Sequence, residues 1–293
     1  FRDRTEHLAF TQDRLAEAKI IAENSDIVIL CVGLDETLEG EEGDTGNSDA
    51  SGDKVDLHLP KVQEELIEKV TAVGKPTIVV LMAGSAIDLN YAQDNCNGIL
   101  LAWYPGARGG RAIADLLFGK ESPSGKLPIT FYKDLEGMPE FTDYSMKNRT
   151  YRYMEKEALY PFGYGLTYSD TCVTEAEVVG EVSAESDIML KATVKNNGTV
   201  DTDEVVQVYI KDLDSPLAVR NYSLCGFKRV SLKAGEEKSV EFTISNKAMN
   251  IVDEDGNRYI AGKHFRLFAG VSQPDTRSAE LTGHKPAEVE IAL

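Results

Sequence analysis

Nine carboxyl side chains crowd into one stretch of the sequence, from Asp35 to Asp56, with a single lysine among them. This stretch, the acidic loop, follows an apolar run at residues 27–32 that is typical of a buried strand. Ligands of α/β sheets bind just beyond the carboxyl ends of strands. Neighbouring like charges raise the pKa of a carboxyl group, and a carboxyl group with a raised pKa can act as a general acid at neutral pH. The pattern therefore predicts a general acid in the acidic loop.

Other interpretations of the acidic loop remain open. A solvated surface loop is the ordinary role of such a segment, but this one follows a core strand, and long loops without secondary structure are uncommon in compact domains unless they are functional or disordered. A calcium site is a second alternative interpretation, because residues 44–49 are rich in oxygen ligands. These residues lack the spacing and the closing Glu of an EF-hand, so no metal or cofactor is predicted.

Other residues that could carry chemistry each have a structural alternative. Trp103 and Tyr104 could stack on a ligand ring, but they also follow a core strand, where aromatic residues pack. The glycine-rich residues 106–110 could hold an anion at a helix start, yet a tight strand-to-helix turn is expected. His58 is predicted to lie on the surface, and Cys31, inside an apolar strand, is predicted to be buried. None of the four histidines has a G-x-S-x-G partner, which argues against a nucleophile triad.

Helical and strand patterns alternate in the first half of the chain. This alternation predicts a mostly parallel α/β sandwich, with helices on both faces of the sheet. The predicted helices cover residues 13–24, residues from Leu59-Pro60 to about Val70, and residues 108–117, and the predicted strands cover residues 27–32, 77–82 and 98–103.

The second half changes to period-two patterns separated by turn residues. About seven strands over some 120 residues predict an all-β sandwich of the immunoglobulin or fibronectin III-like kind. The clearest strands are residues 187–194, 204–211, 239–244 and 264–270. We place the domains at residues 1–167 and 168–293, with the junction near residues 160–165.

The charge and composition of the chain restrict the kinds of partner that it is expected to bind. The formal net charge of −18 argues against nucleic acid and anionic membranes, which would repel the chain. Its 293 residues fit one or two domains, and no apolar run approaches the roughly 20 residues of a membrane span. Four widely spaced cysteines suit a reducing compartment, so a cytoplasmic, bacterial-type location is expected. The start at Phe1, without a Met, indicates a fragment or a processed product.

A series of motifs runs in order through nearly the whole first half of the chain, at residues 33–41, 52–63, 75–81, 101–106, 109–110, 114–115, 123–128, 151–153 and 161–168. Together these motifs resemble glycoside hydrolase family three, the β-glucosidase and β-xylosidase family. The resemblance is to the carboxyl-terminal part of its members, an α/β sandwich followed by a fibronectin type III-like domain.

The resemblance implies a retaining mechanism with two carboxylates. An Asp nucleophile would lie on a TIM-like barrel, which this sequence does not contain, and a Glu acid/base would lie in the acidic loop. Alignment with the E-x-E-x-x-D-R motif of relatives assigns the acid/base role to Glu41, with Glu39 second and Glu42 third. Thr45 stands where the motif has Arg, which leaves Lys54 as a substitute partner for a carboxylate.

The expected function is therefore part of a retaining exo-β-glycosidase that removes terminal non-reducing β-D-glucosyl residues. A β-xylosidase of the same family and a non-catalytic carbohydrate-binding or scaffold module are the alternatives. The expected partners are a β-glucoside or oligosaccharide substrate and the barrel segment of the same enzyme, with no nucleic acid and no membrane. Self-association into a homo-oligomer is left open.

Overall fold

The computed structural model describes residues 13–40 and 54–293, which divide into two compact units. Unit 1 comprises the described residues up to Ile113 together with Lys133–Leu135, and unit 2 comprises Ala114–Tyr132 and Glu136–Leu293. The domain boundary at residues 167 and 168 stays a prediction.

A three-stranded parallel sheet with the order β1-β2-β3 forms the centre of unit 1. Helices alternate with the strands along the chain, as the hydrophobic pattern predicts. The elements are α1 (Asp13–Glu23), β1 (Val28–Gly33), α2 (Lys61–Thr71), β2 (Thr77–Met82), α3 (Asn90–Asn95), β3 (Gly98–Leu101) and α4 (Gly109–Leu117), the last of which continues into unit 2.

The middle strand β2 is the core of unit 1. Its near-continuous apolar sequence is typical of a parallel strand that is covered on both faces, and Val79, Val80 and Leu81 have no exposed surface. The α2 helix begins directly after Pro60, as predicted, and buries Ile67 and Val70. Burial of these side chains fixes β2 in the middle of the sheet.

The start of the acidic loop is held by backbone and side-chain contacts at Gly33, the last residue of β1. A Cβ atom at this position would lie 1.8 Å from the carbonyl oxygen of Met82, so only glycine fits beside β2. The Gln63 side chain donates to the Gly33 carbonyl and accepts from its N–H, both at 2.8 Å. Helix α2 thus fixes where the chain leaves the sheet.

Two antiparallel sheets form the β-sandwich of unit 2, with the orders β10-β7-β6 and β14-β13-β8-β9. These seven strands agree with the predicted number. The elements of unit 2 after α4 are β4 (Phe131–Tyr132), α5 (Thr150–Tyr153), β5 (Ala158–Tyr160), β6 (Thr171–Val179), β7 (Ile188–Asn196), β8 (Thr202–Asp212), β9 (Ser223–Leu232), β10 (Glu237–Ile244), a 3-10 helix (Asn246–Met249), β11 (Asn250–Val252), β12 (Arg258–Ile260), β13 (His264–Gly270), α6 (Thr276–Thr282) and β14 (Ala287–Ala292).

Alternating side chains from both sheets fill the sandwich core. Every second residue of β7 is buried, from Ile188 to Asn196, as expected for a strand with one face on a core. Across the sandwich, Val206 and Val208 of β8 and Phe265 of β13 are fully buried in the same cluster. The period-two pattern of the sequence therefore matches the observed core face.

A buried ion pair lies beside this core. The Nζ of Lys126 is 2.8 Å from Oε1 of Glu204, and only 9% of the lysine side chain and 2% of the glutamate side chain are exposed. Glu204 also accepts from the Thr171 hydroxyl at 2.5 Å, and Lys126 donates to the Gly165 carbonyl at 2.6 Å. All of these polar contacts lie within unit 2, so the pair joins the 123–128 motif to strand β8.

The fold class predicted from the sequence is confirmed. The prediction for Cys31 is wrong: it lies on the exposed face of β1, because Leu30 and Val32 occupy the buried face. The predicted end of β3 is also wrong, because the strand ends at Leu101 and not at Trp103. Within the residues that the structure describes, no helix is long and apolar enough to cross a membrane.

Candidate active site

Three loops converge at the carboxyl edge of the parallel sheet. The chain leaves β1 at Leu34, whose N–H donates to the Met82 carbonyl at 2.8 Å. It leaves β2 at Ala83 and β3 at Ala102, whose N–H donates to the Leu81 carbonyl at 2.8 Å. The first of these loops is the acidic loop, so its carboxylates start where α/β sheets bind ligands.

A tight turn at the start of the acidic loop directs Glu39 back over this edge. The Asp35 carboxylate accepts from the Thr37 N–H at 3.0 Å and from the Thr37 hydroxyl at 2.6 Å. The Asp35 carbonyl accepts from the N–H groups of Leu38 and Glu39. The contacts with Thr37 lower the pKa of Asp35, so this carboxylate stays ionised as a turn former and is a poor proton donor.

Glu39, the second candidate for the acid/base, is bound through one carboxylate oxygen. Its Oε2 accepts from the Tyr104 phenol at 2.6 Å and from the Gly84 N–H at 3.1 Å. These partners lie 65 and 45 residues away in sequence, and each follows the carboxyl end of a strand. The structure thus brings Glu39 together with the loops after β2 and β3.

Lys54, near the other end of the acidic loop, binds the two residues that follow Gly84. Its Nζ donates to the Ser85 hydroxyl and to the Ala86 carbonyl, both at 2.8 Å. Burial lowers the pKa of Lys54, while the charges of Glu39 and Asp56 oppose that shift. The role of Lys54 as a substitute for the Arg of the motif stays a prediction.

The environment of Glu39 favours its ionised form. Burial alone would raise the pKa of Glu39, but hydrogen bonds from Ser85, Tyr104 and Gly84 and the charge of Lys54 outweigh it, and the pKa is lowered. A general acid needs the opposite shift. In this structure Glu39 is an ionised carboxylate bound by Tyr104 and Gly84, and its role as an acid/base candidate stays a prediction.

Tyr104 is a permanent hydrogen-bond donor in this network. Burial and the hydrogen bond to Glu39 raise the pKa of Tyr104 to about 12, so the phenol keeps its proton across the physiological range. Its ring also lies across Gly84, where an added Cβ atom would come within 2.7 Å of Tyr104 Cε2. Glycine at position 84 is therefore what allows the close approach of the ring.

Trp103, next to Tyr104, adopts an uncommon backbone conformation. Its φ of 52° lies in the left-handed region, which is an outlier for a bulky side chain. Residues in such conformations cluster at active sites and ligand clamps. Trp103 thus lies between the end of β3 at Leu101 and Tyr104, which binds Glu39.

The first candidate, Glu41, and the third, Glu42, lie outside the described residues, as do residues 44–49 of the calcium alternative. Over residues 13–40 and 54–293, no group of three or more His, Cys, Asp or Glu side chains is arranged to hold a metal ion. The glycine-rich residues 106–110 form a turn, with the Gly109 N–H donating to the Gly106 carbonyl at the start of α4.

His58 lies on the surface close to Lys54 in sequence, as predicted. Its Nδ1 is 2.9 Å from Oε1 of Glu64, and this hydrogen bond raises the pKa of His58 above 6.5, with smaller contributions from the charges of Asp56 and Asp88. A raised pKa means that the contact stabilises the fold most fully below pH 6.5, and that this stabilisation is lost as the pH rises through the pKa of the folded state.

We expect the imidazole C–H resonance of His58 to titrate above pH 6.5 in NMR spectra. Glu64→Gln should return its pKa towards the ordinary value, because the largest contribution is removed. Glu68→Gln, one turn further along α2, removes the same charge away from the imidazole and serves as the control. An equal shift in both variants would contradict the assignment to Glu64.

Comparisons with known proteins agree with the fold. Residues 2–168 match the glycosyl hydrolase family 3 C-terminal domain, and residues 204–273 match a fibronectin type III-like domain. The chain is 39% identical over 275 residues to a xylan 1,4-β-xylosidase of Xylanibacter ruminicola, covering 92% of this chain and 31% of the relative. It is 30% identical over 273 residues to a periplasmic β-glucosidase of Salmonella typhimurium, covering 89% of this chain and 34% of that relative.

A solved structure is similar to this chain over nearly its whole length. A β-glucosidase from Erythrobacter marinus superposes with a TM-score of 0.80 at 31% identity, covering 95% of this chain and 36% of that one. The chain therefore belongs to glycosyl hydrolase family 3, and the resemblance read from its motifs is confirmed. It spans about a third of the length of the curated relatives it matches.

Proposed function

We propose that this chain is the carboxyl-terminal part of an exo-acting, retaining β-glycosidase, with Glu41 as its general acid/base. The site at the carboxyl edge carries the proposal. Of the first two candidates, Glu41 and Glu39, the structure describes only Glu39. Its carboxylate is bound by Tyr104 and Gly84, and its pKa is lowered. The proton donor is then assigned to the second Glu of the motif, as the alignment with relatives suggests.

The second carboxylate of the mechanism would come from a barrel segment outside this chain. Retaining glycosidases hold two carboxyl groups about 5–5.5 Å apart, one to attack the anomeric carbon and one to protonate the leaving oxygen. We assign the attacking group to an Asp on that barrel. The chain would then supply half of the active site, which fits its coverage of a third of the relatives.

The sugar in the cleaved subsite has two candidates. A terminal β-D-glucosyl residue is the substrate predicted from the sequence, and several relatives and solved structures are named β-glucosidases. A β-xylosyl residue is favoured by a different observation, because relatives at 39% and 34% identity are named β-xylosidases. A cytoplasmic location and self-association stay predictions.

The chain alone is expected to leave aryl β-glucosides and β-xylosides intact, and to gain activity when it is combined with the barrel segment. A panel of nitrophenyl glycosides measures both the gain and the preferred sugar. If the combined protein binds oligosaccharides without hydrolysing any member of the panel, a non-catalytic binding module replaces the enzyme as the function.

A further inference from the structure

Strand β1 exposes apolar side chains on one of its two faces. Its register with β2 places Ile29 beside Ile78 and Cys31 beside Val80, and residues paired in this way point to the same face of the sheet. Val80 has no exposed surface, whereas Ile29 is 44% exposed and Cys31 is exposed. The layer that covers this face of the sheet over Val80 therefore does not extend over β1.

The chain that leads into β1 is apolar and exposed as well. Ile20 and Ile21 of α1 are 58% and 60% exposed, and Ile27, directly before β1, is 52% exposed. Single exposed apolar residues are normal on protein surfaces, but parallel strands are usually covered on both faces. Four exposed isoleucines between residues 20 and 29 are therefore typical of a surface that contacts another protein segment.

The outer edge of β1 offers backbone groups to another strand. Within the part of the chain that the structure describes, β1 pairs with β2 alone. The N–H groups of Val28 and Leu34, at the two ends of the strand, donate to carbonyls of β2 and of the residue before it, both at 2.8 Å. Since alternate residues of a parallel strand bond to the same neighbour, the backbone groups of Ile29 and Cys31 point away from β2.

At Gly33 this outer edge is already closed by a side chain. Gln63 bonds both the N–H and the carbonyl of Gly33, as a neighbouring strand would. Residues 29–31 include no charged residue and no proline, which are the residues that proteins place on a strand edge to prevent further pairing. These three residues, the docking edge, are therefore suited to accept an added strand.

We propose that the docking edge pairs with a β-strand from the part of the enzyme outside this chain, and that apolar side chains of that part cover Ile29 and Cys31. The length of the relatives favours this occupant over a second copy of the chain. The match covers only 31% of the xylan 1,4-β-xylosidase, so most of such an enzyme has to pack against the matched region. This inference rests on the proposed function only in making the chain a portion of a longer enzyme.

Amide hydrogen exchange tests the pairing residue by residue. In this chain alone, the N–H groups of Ile29 and Cys31 should exchange fast, while those of Leu30 and Val32, which face β2, should exchange slowly. In the full-length enzyme, exchange at Ile29 and Cys31 should become severalfold slower, with little change at Leu30 and Val32. Slow exchange at Ile29 and Cys31 in the chain alone, or equally fast exchange in the full-length enzyme, would overturn the inference.

Thiol labelling tests the cover over the exposed face. Cys31 should react with a maleimide in this chain alone, and severalfold more slowly in the full-length enzyme. Ala72→Cys supplies the control, because Ala72 is an exposed residue at the end of α2, and its thiol should react at the same rate in both proteins. An equal loss of labelling at the two thiols would indicate general shielding and would contradict docking at β1.

A charged variant tests whether the surface is buried on assembly. Cys31→Lys should leave the Tm of this chain unchanged, because the side chain is exposed, but should lower the Tm of the full-length enzyme, where it would bury a charge. Ala72→Lys should change neither Tm, and equal effects of Cys31→Lys in the two proteins would contradict the proposal. Dimerisation of this chain in sedimentation, with protection of Cys31, would make a second copy the occupant and also overturn it.

Activity and protection are measured on the same full-length enzyme, so that the two proposals can fail separately. An enzyme that protects Ile29 and Cys31 but hydrolyses no glycoside would overturn the proposed function and support the docking edge. An active enzyme in which both residues exchange as fast as in the chain alone would overturn the docking edge and leave the proposed function standing.

Discussion

Glu41→Gln is expected to lower hydrolysis of poorly activated β-glycosides by about 10²- to 10⁴-fold, the usual contribution of a general acid. The amide cannot protonate the leaving oxygen, so the loss should grow as the leaving group becomes more basic. Aryl glycosides with acidic phenols depart without protonation and should react at nearly the wild-type rate in the first step. Measuring kcat/KM over a series of aryl glycosides, on the enzyme combined with its barrel, gives this dependence directly.

The neighbouring glutamates are the controls for this assignment. Azide should restore activity to Glu41→Ala, because this anion attacks the glycosyl-enzyme in place of water and needs no general base, which gives a glycosyl azide and frees the nucleophile. Glu39→Ala should not respond to azide, since Glu39 is bound by Tyr104 and Gly84. Rescue of Glu39→Ala but not of Glu41→Ala would exchange the roles of the two residues, and rescue of Glu42→Ala alone would move the role to the third candidate.

Lys126→Met is expected to destabilise unit 2 by about 3–5 kcal/mol, because it leaves Glu204 as an uncompensated buried charge. Glu204 is 2% exposed in its side chain, and its remaining partners are a hydroxyl and a backbone N–H. For a unit of this size the loss corresponds to a Tm lower by about 10 °C. Calorimetry of the whole chain measures this change.

Fluorescence assigns the change to the correct unit, because the only tryptophan of the chain, Trp103, lies in unit 1. Lys120→Met is the control, since Lys120 forms an ion pair with Asp115 at 3.0 Å in the same unit but is 70% exposed. Exposed pairs contribute about 0–1 kcal/mol. Equal losses in the two variants, or a shift in the fluorescence transition alone, would contradict the importance of the buried pair.

Much of the fold could be predicted because hydrophobic periodicity encodes it locally. The apolar run of β2 and the alternation of β7 each reflect the faces that they bury. The end of β3 could not be predicted in this way, because Ala102 and Trp103 continue the apolar pattern although the strand ends at Leu101 and Trp103 has a positive φ. Cys31 shows the same limit: an apolar run does not reveal that one face of β1 is exposed.

The position of the site could be predicted from the sequence, but its contacts could not. A strand followed by carboxylates located the edge, since the carboxyl ends of parallel strands meet there. The partners of Glu39 could not be read from spacing, because they depend on how three strands lie side by side. The sequence did carry a signal for them: Gly84 and Tyr104 each come within three residues of the end of β2 or β3.

The shared attachment of Glu39 and Lys54 at residues 84–86 also has a consequence for changes to the chain between them. Because the chain before and after residues 41–53 is held at one site, insertions or deletions there need not disturb the register of the sheet. The pairing of β1 with β2 and of β2 with β3 should therefore tolerate a change in the number of residues that join Glu39 to Lys54.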